Sequence, residues 1–247
     1  MNIPRPTDEA FSRLVEDLGN IQNTAETAVW LKKAADLYGL RNIAYLGINI
    51  PKIAEVTPYL AVTYSNAWVA HYRAQDFVKS DPVIRSGFLS ILPLDWRRLN
   101  WGPAPARQIV RDSLDFGVGR QGLTFPIRGR LGEKALLTIT SDEPEPRWDR
   151  TVQRFMRDFQ GLAYHVHHAI LQVEGVLYGT TTSLTKREWE CLTWASRGKT
   201  VFETAIILSI SDRTVRFYLD LARTKLGATN VAHAVAKALS MELIARS

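Results

Sequence analysis

The sequence predicts an α+β domain, an α-β-α sandwich around a mostly antiparallel sheet, followed by a small all-α helix-turn-helix domain. Three observations predict it. Up to residue 174, segments with apolar residues at three- and four-residue steps alternate with short runs of β-branched and aromatic residues. The stretch Gly-Thr-Thr-Thr-Ser at 179–183 then breaks all periodicity. After it, three helix-start signals follow one another within 27 residues, from Thr185 to Ser211. The expected division is therefore a domain over 1–174, a linker over 175–183 and a second domain over 184–247.

Taken in order, residues 7–18 carry Phe11, Leu14, Val15 and Leu18 on one face of a helix, and Thr24 begins a second helix ending near Gly39. Residues 43–50 and 59–64 read as strands bounded by Pro51 and Pro58. Residues 66–75 return to helix. The stretch 81–101, broken by Pro82, Gly87 and Pro93, is expected to be mostly loop around short elements, before a helix over 105–116. Strands over 122–127 and 134–140 flank the turn at 128–132. A long helix over 149–174 aligns Val152, Phe155, Met156, Phe159, Leu162, Val166, Ile170 and Val173. Its apolar stripe is wider than one flank of a small sheet requires, which points to a homodimer interface.

In the last quarter, Thr185 with Glu188 and Thr200 with Glu203 form two capping boxes around a stop at Gly198. Ser211 caps a third helix over 212–226, in which Val215, Leu219 and Ala222 recur on one side. Arg213, Arg216, Phe217 and Asp220 occupy the other side. Two short helices and a tight turn before a third, basic one form a helix-turn-helix pattern. Charge agrees: residues 184–247 hold ten Lys or Arg against six Asp or Glu, whereas the rest of the chain holds 21 against 19.

Composition removes several classes. A hydrophobic content of 46% over 247 residues supports a real core. No window of about 18 apolar residues exists, and Met1-Asn2-Ile3-Pro4 lacks the apolar run of a signal peptide, so a cytoplasmic protein without a membrane partner is expected. The single Cys191, between Glu190 and Leu192 in a helical pattern, reads as a small buried hydrophobe. No Gly-rich phosphate loop, Ser-His-Asp arrangement or paired acids stand out. His165 and His168 lie one turn apart, but no third ligand type joins them, so neither a metal nor another cofactor is expected.

The C-terminal residues Leu184-Thr185, Arg187-Glu188, Leu192, Gly198-Lys199-Thr200, Glu203, Ala205, Leu208, Ile210-Ser211, Thr214-Val215, Lys225-Leu226 and Ala234-Val235-Ala236 resemble the LuxR-type helix-turn-helix. Independently, Tyr64, Trp68 and Tyr72, the pair Asp81-Pro82, Trp96, and Gly117 after Asp115-Phe116 resemble the autoinducer-binding domain of the same quorum-sensing regulators. The resemblance implies a four-helix DNA-binding domain, a non-enzymatic function, and an N-acyl-homoserine lactone as ligand. It also implies a homodimer on double-stranded promoter DNA, with RNA polymerase as a further partner.

Chemically, such a lactone needs donors, one acceptor and an apolar slot. Trp68 donates only and suits the lactone carbonyl, whereas ionised Asp81 accepts only and suits the amide N–H. Tyr64, with Thr138 assisting, suits the acyl carbonyl; Trp96 offers a ring face and Tyr72 walls the tail. Burying Asp81 calls for further hydrogen bonds to its carboxylate. On the third helix, Arg216 suits guanine and Phe217 a thymine methyl, while Lys199, Thr200 and Thr214 sit at helix starts that meet phosphate. Lys225 and Arg223 are further phosphate candidates, and for Arg213 and Arg223 ordinary surface charge stands equally open. Thr204, Tyr218, Val231 and Glu242 depart from the residues usual in the family, and Asp220 puts negative charge on the groove side. An alternative expectation is therefore a protein that sequesters a related regulator in heterodimers, or an orphan regulator acting without ligand.

Overall fold

The computed structural model describes residues 7–50, 58–129, 132–176 and 183–245. The chain separates into two compact units, one built on residues 1–128 and 134–178, the other including residues 179–247. Most of the expected linker lies outside the described residues.

In the first unit, α1 (Asp8–Leu18) starts at Thr7, whose side chain accepts from the Ala10 N–H. α2 (Thr24–Tyr38) starts at Asn23 and ends at Gly39 in the left-handed region. Leu14 and Leu18 of α1 are buried, and the Trp30 indole N–H of α2 donates to the Leu14 carbonyl at 2.9 Å, locking the two helices together. Next come β1 (Asn42–Ile48), β2 (Tyr59–Val62), α3 (Asn66–Ala74), α4 (Pro82–Leu89), β3 (Leu94–Asp95), α5 (Ala104–Asp115), β4 (Gln121–Arg128), β5 (Lys134–Ser141) and α6 (Glu145–Val173). The strands form one sheet in the order β2-β1-β5-β4-β3, and every neighbouring pair is antiparallel.

Alternation sends the side chains of this sheet to two different tasks. Tyr45, Leu137 and Phe125 share a register and turn to α6, where Phe125 meets Phe159 at 6.0 Å and the Tyr45 hydroxyl lies 2.6 Å from His167 Nδ1. Ala44, Thr138 and Thr124 share the next register and turn to the opposite face. There the Gly87 Cα of α4 packs on Leu136 so closely that a Cβ would come within 2.8 Å of its Cδ2.

Two expectations need correction. Residues 82–89 are a helix rather than loop: Asp81 caps it, Pro82 sits in its first turn where its missing N–H is harmless, and Gly87 is a packing glycine rather than a breaker. The α6 stripe leaves little surplus apolar face: Trp148, Val152, Phe155, Phe159, Leu162, Val166 and Ile170 are buried, and Met156 and Val173 are half-buried. Tyr164, 46% exposed, is the one large hydrophobic side chain that α6 leaves exposed among the described residues. The helix is also four residues longer at its start than its periodicity indicates, since Pro144 and Pro146 fit an N-terminus.

The second unit contains α7 (Lys186–Ser196), α8 (Val201–Leu208), α9 (Asp212–Lys225) and α10 (Val231–Ser240). Both capping boxes are complete, and the Ser211 hydroxyl oxygen accepts from the Thr214 N–H. Cys191, Leu192, Val215, Ala222, Ala234 and Ala238 form a core of small and medium side chains that lets four short helices approach closely. One charge is buried beside it. Glu188, its side chain 2% exposed, receives the Thr185 N–H at 2.8 Å and the Lys225 ammonium at 2.7 Å. Burial alone would raise its pKa, but the hydrogen bonds from Lys225 and Thr185 more than compensate and hold it below the usual range.

Lys225 is thus an internal partner of Glu188, and its substitution tests that role. Lys225→Met is expected to destabilise the second unit by about 2 kcal/mol in urea denaturation, because it leaves a buried carboxylate unpaired. Adding Glu188→Gln is expected to recover part of the loss. In the wild type the stabilisation from this depressed carboxyl is complete above about pH 4.3 and fades as the pH falls through its lower folded value.

Candidate functional site

α3 begins at Ser65, whose side chain accepts from the Trp68 N–H at 3.2 Å, and its 3.6-residue period turns Trp68, His71 and Tyr72 to one side. Trp68, Phe77, Ile109 and Val118 form a buried cluster, against which Tyr64, Tyr72, Trp96, Trp101 and Phe116 pack. The rings meet mostly tilted or edge to face: Trp68 lies 5.6 Å from Tyr72, 5.7 Å from Phe116 and 6.3 Å from Phe77. His71 closes the far side, stacked on Phe116 at 4.9 Å and paired through Nε2 with Asp112 of α5 at 2.7 Å.

Polar groups enter this aromatic shell at few points. Asp81 is 8% exposed; its Oδ1 accepts from the Val83 N–H at 2.7 Å and its Oδ2 from the Tyr72 hydroxyl at 2.7 Å. Burial raises the pKa of its carboxyl, and the Tyr72 hydroxyl together with the Val83 and Ile84 N–H groups opposes that rise. A carboxylate has about four lone-pair positions, so acceptor capacity is left over. Burial and the charge of Asp81 push the Tyr64 and Tyr72 phenols above their ordinary range, which keeps both as proton donors. Among the described residues, neither the Tyr64 hydroxyl nor the Trp68 indole N–H has a hydrogen-bond partner.

The structure thus brings Tyr64, Trp68, Tyr72 and Trp96 into one cluster and joins Asp81 to it through Tyr72. Tyr72, expected as a wall, uses its hydroxyl to hold Asp81. Pro82 is the first residue of α4 and shapes the site through its backbone. Trp96 lies over the bare Cα of Gly122, where a Cβ would come within 2.3 Å of the ring. Its indole N–H donates to Thr124 Oγ1 at 3.0 Å, and Thr124 Oγ1 is 2.9 Å from Thr138 Oγ1. Gly117 has φ 69°, and the Arg41 guanidinium occupies the space a side chain would need. Sequence reasoning missed Thr124, His71, Phe77 and Trp101. His71 was findable, because it shares the helical face of Trp68 and Tyr72; Thr124 becomes visible only once the β4–β5 register is known.

On α9, Arg213, Arg216, Phe217 and Asp220 are exposed while Val215, Leu219 and Ala222 are buried. Asp220 is paired with the Arg223 guanidinium at 3.0 Å, which offsets its charge locally. Lys199 is paired with Glu203 at 3.0 Å, the Thr200 hydroxyl caps α8, and the Thr214 hydroxyl lies 2.7 Å from that of Ser211. These three side chains serve helix starts first, although Lys199 and Thr200 remain exposed and Thr214 half-exposed. The unusual residues face inward for the most part. Thr204 is 2% exposed, and Tyr218 and Val231 pack against the core. Glu242 adopts φ 54°, a conformation that suits glycine. His165 and His168 are exposed on α6, and no group of three metal-ligating side chains exists among the described residues.

Residues 23–170 match the autoinducer binding domain, and residues 182–238 match the bacterial regulatory proteins of the luxR family. The chain belongs to the LuxR family. Among its relatives, the transcriptional activator RaiR of Rhizobium etli is 38% identical over 170 residues, 68% of this chain and 70% of that protein. The transcriptional activator AhyR of Aeromonas hydrophila is 32% identical over 217 residues, 85% of this chain and 80% of that protein. The fold is that of Escherichia coli SdiA, with a TM-score of 0.72 at 21% identity over 96% of this chain and 99% of SdiA. A second SdiA structure, in complex with octanoyl-rac-glycerol, has a TM-score of 0.68 at 19% identity over 99% of this chain and 100% of that one. This LuxR-family chain is therefore an autoinducer-binding transcription regulator with a DNA-binding domain, not an enzyme.

The elevated pKa of Asp81 fixes the sign of a substitution. A carboxyl whose folded pKa lies above its unfolded value favours folding below the unfolded value and loses that advantage as pH rises through the folded one. Ionisation of Asp81 therefore opposes folding. Asp81→Asn retains an oxygen for the Val83 N–H, so the ligand-free protein is expected to melt a few degrees higher, about 2–4 °C per kcal/mol gained. Differential scanning calorimetry at pH 7 checks this; a lower melting temperature would show that the charge itself supports the fold.

Proposed function

We propose that this LuxR-family regulator binds an N-acyl-homoserine lactone and, as a cytoplasmic homodimer, a two-fold promoter site, where it activates transcription with RNA polymerase. The observation that carries the ligand reading is the polar pattern of the aromatic shell. Two donors without partners among the described residues, the Trp68 indole N–H and the Tyr64 hydroxyl, accompany one buried acceptor with spare capacity, Asp81. A lactone carbonyl, an acyl carbonyl and the amide N–H between them supply the complementary pattern. Trp68 receives the lactone carbonyl, Tyr64 and Thr138 the acyl carbonyl, and Asp81 the amide N–H. Trp96 covers the ring, while Tyr72 and Pro82 hold Asp81 in place. A bound lactone gives these groups hydrogen-bond partners as it covers them, so binding stabilises the unit and favours the DNA-competent population.

On DNA, Arg216 reads guanine and Phe217 packs on a thymine methyl, with Arg213, Thr214, Lys199 and Thr200 along the phosphates. Asp220, neutralised by Arg223, either restrains that arginine or accepts from a cytosine amino group. Because Thr204, Tyr218 and Val231 lie on the core side, the unusual residues give little support to a purely sequestering role. A two-fold site still calls for a homodimer, which rests here on the symmetry of promoter recognition and not on the α6 stripe.

Thermal-shift titration with lactones of graded chain length tests the reading. At about 100 times its Kd, a cognate lactone contributes about 2.7 kcal/mol, an expected rise of about 5–10 °C. The same lactone is expected to strengthen a specific gel shift on promoter duplexes. Octanoyl glycerol serves as a comparison ligand, because its hydroxyl also offers Asp81 a donor. A shift with the glyceride and none with any lactone would overturn the lactone assignment.

A further inference from the structure

We propose that Thr124 is a positioning residue that fixes the Thr138 hydroxyl as a hydrogen-bond donor into the pocket, so that this point suits a ligand carbonyl or ether oxygen. The inference rests on the lactone reading for the identity of the ligand, but its first steps concern the ligand-free protein. They follow from counting protons. Thr124 Oγ1 is fully buried and already accepts the Trp96 indole N–H at 3.0 Å. An indole nitrogen donates only, so this bond has one direction. The hydroxyl still carries a proton of its own. Among the described residues, the acceptor within reach is Thr138 Oγ1 at 2.9 Å.

Two arrangements satisfy that contact, and they differ in cost. If Thr138 donated to Thr124, the Thr124 oxygen would accept twice while its own proton stayed buried without an acceptor, a loss of about 1–3 kcal/mol. If Thr124 donates to Thr138, the Trp96 N–H and the Thr124 hydroxyl are both satisfied and the Thr138 proton alone of these three groups is left over, and Thr138 is 7% exposed where Thr124 is not exposed at all. The second arrangement wins. Polarity then runs one way, from the Trp96 N–H to Thr124, from Thr124 to Thr138, and from Thr138 outward. Thr140, next on the same face of β5, takes no part, since its hydroxyl donates to the Val118 carbonyl at 2.5 Å. With Tyr64 held as a protonated phenol, Thr138 becomes the second donor on one ligand oxygen.

Thr124→Val removes the hydroxyl at nearly constant volume, Thr124→Ser keeps it, and Thr138→Val removes the outward donor. Lactone affinity by tryptophan-fluorescence titration is expected to fall about tenfold in Thr124→Val, the worth of one hydrogen bond. Thr124→Ser is expected to restore it, and Thr124→Val/Thr138→Val to bind no more weakly than Thr138→Val alone. Wild-type affinity in Thr124→Val, or fully additive losses in the double variant, would overturn the proposal. If the wild type binds no lactone, the functional reading fails separately. The positioning role is then judged on the Trp96 indole N–H resonance of ligand-free protein. Thr124→Val is expected to move it upfield and Thr124→Ser to leave it near the wild-type position; no movement in Thr124→Val would count against the role.

Discussion

The buried carboxylate of Asp81 is the constraint on which the first unit's chemistry depends. It caps α4 through the Val83 N–H and receives the Tyr72 hydroxyl of α3, so one side chain fixes the spacing of two helices that flank the aromatic shell. A charge in such a place is costly unless hydrogen bonds surround it. The Tyr72 hydroxyl and the Val83 and Ile84 N–H groups do not cancel the cost of burial, and the proposed lactone amide N–H would relieve the remainder. Stability of the empty protein and affinity for the ligand are thus opposed through the same group.

The other parts of the shell serve this arrangement. Gly87 brings α4 onto Leu136, and Gly122 lets Trp96 lie flat on the sheet; in both cases the missing side chain is what permits the approach. The His71–Asp112 pair ties α3 to α5 behind the rings. Strand alternation separates the aliphatic and aromatic core on α6 from a face that carries Thr124 and Thr138, so the sheet has one structural side and one side available to a ligand. In the second unit the same economy of charge recurs: Glu188 is buried but fully answered, whereas Arg213 and Arg216 stand exposed.

Legibility in the sequence followed the range of each interaction. Thr185 with Glu188, Thr200 with Glu203, and Ser211 satisfy backbone groups three residues away, so their helices were readable from local spacing alone. Trp68 and Tyr72 were readable as one helical face. What escaped depended on distant partners. Gly87 looks like a breaker until Leu136 is placed against it. Thr124 is an ordinary strand residue until Thr138 is set opposite. The α6 stripe looks surplus until α1, α2 and the sheet are all packed on it. Lys225 looks like a surface cation until Glu188, 37 positions away, is found beneath it.

The central claim is that Asp81 recognises a ligand N–H. It is tested most directly by comparing, on the wild-type protein, the Kd of an N-acyl-homoserine lactone with that of the ester analogue in which oxygen replaces the amide N–H. Shape and both carbonyls are retained, so the difference isolates one hydrogen bond to a charged acceptor. The account predicts that the ester binds at least tenfold more weakly, because its oxygen faces the carboxylate with no proton to offer. Equal affinity of the two compounds would contradict it.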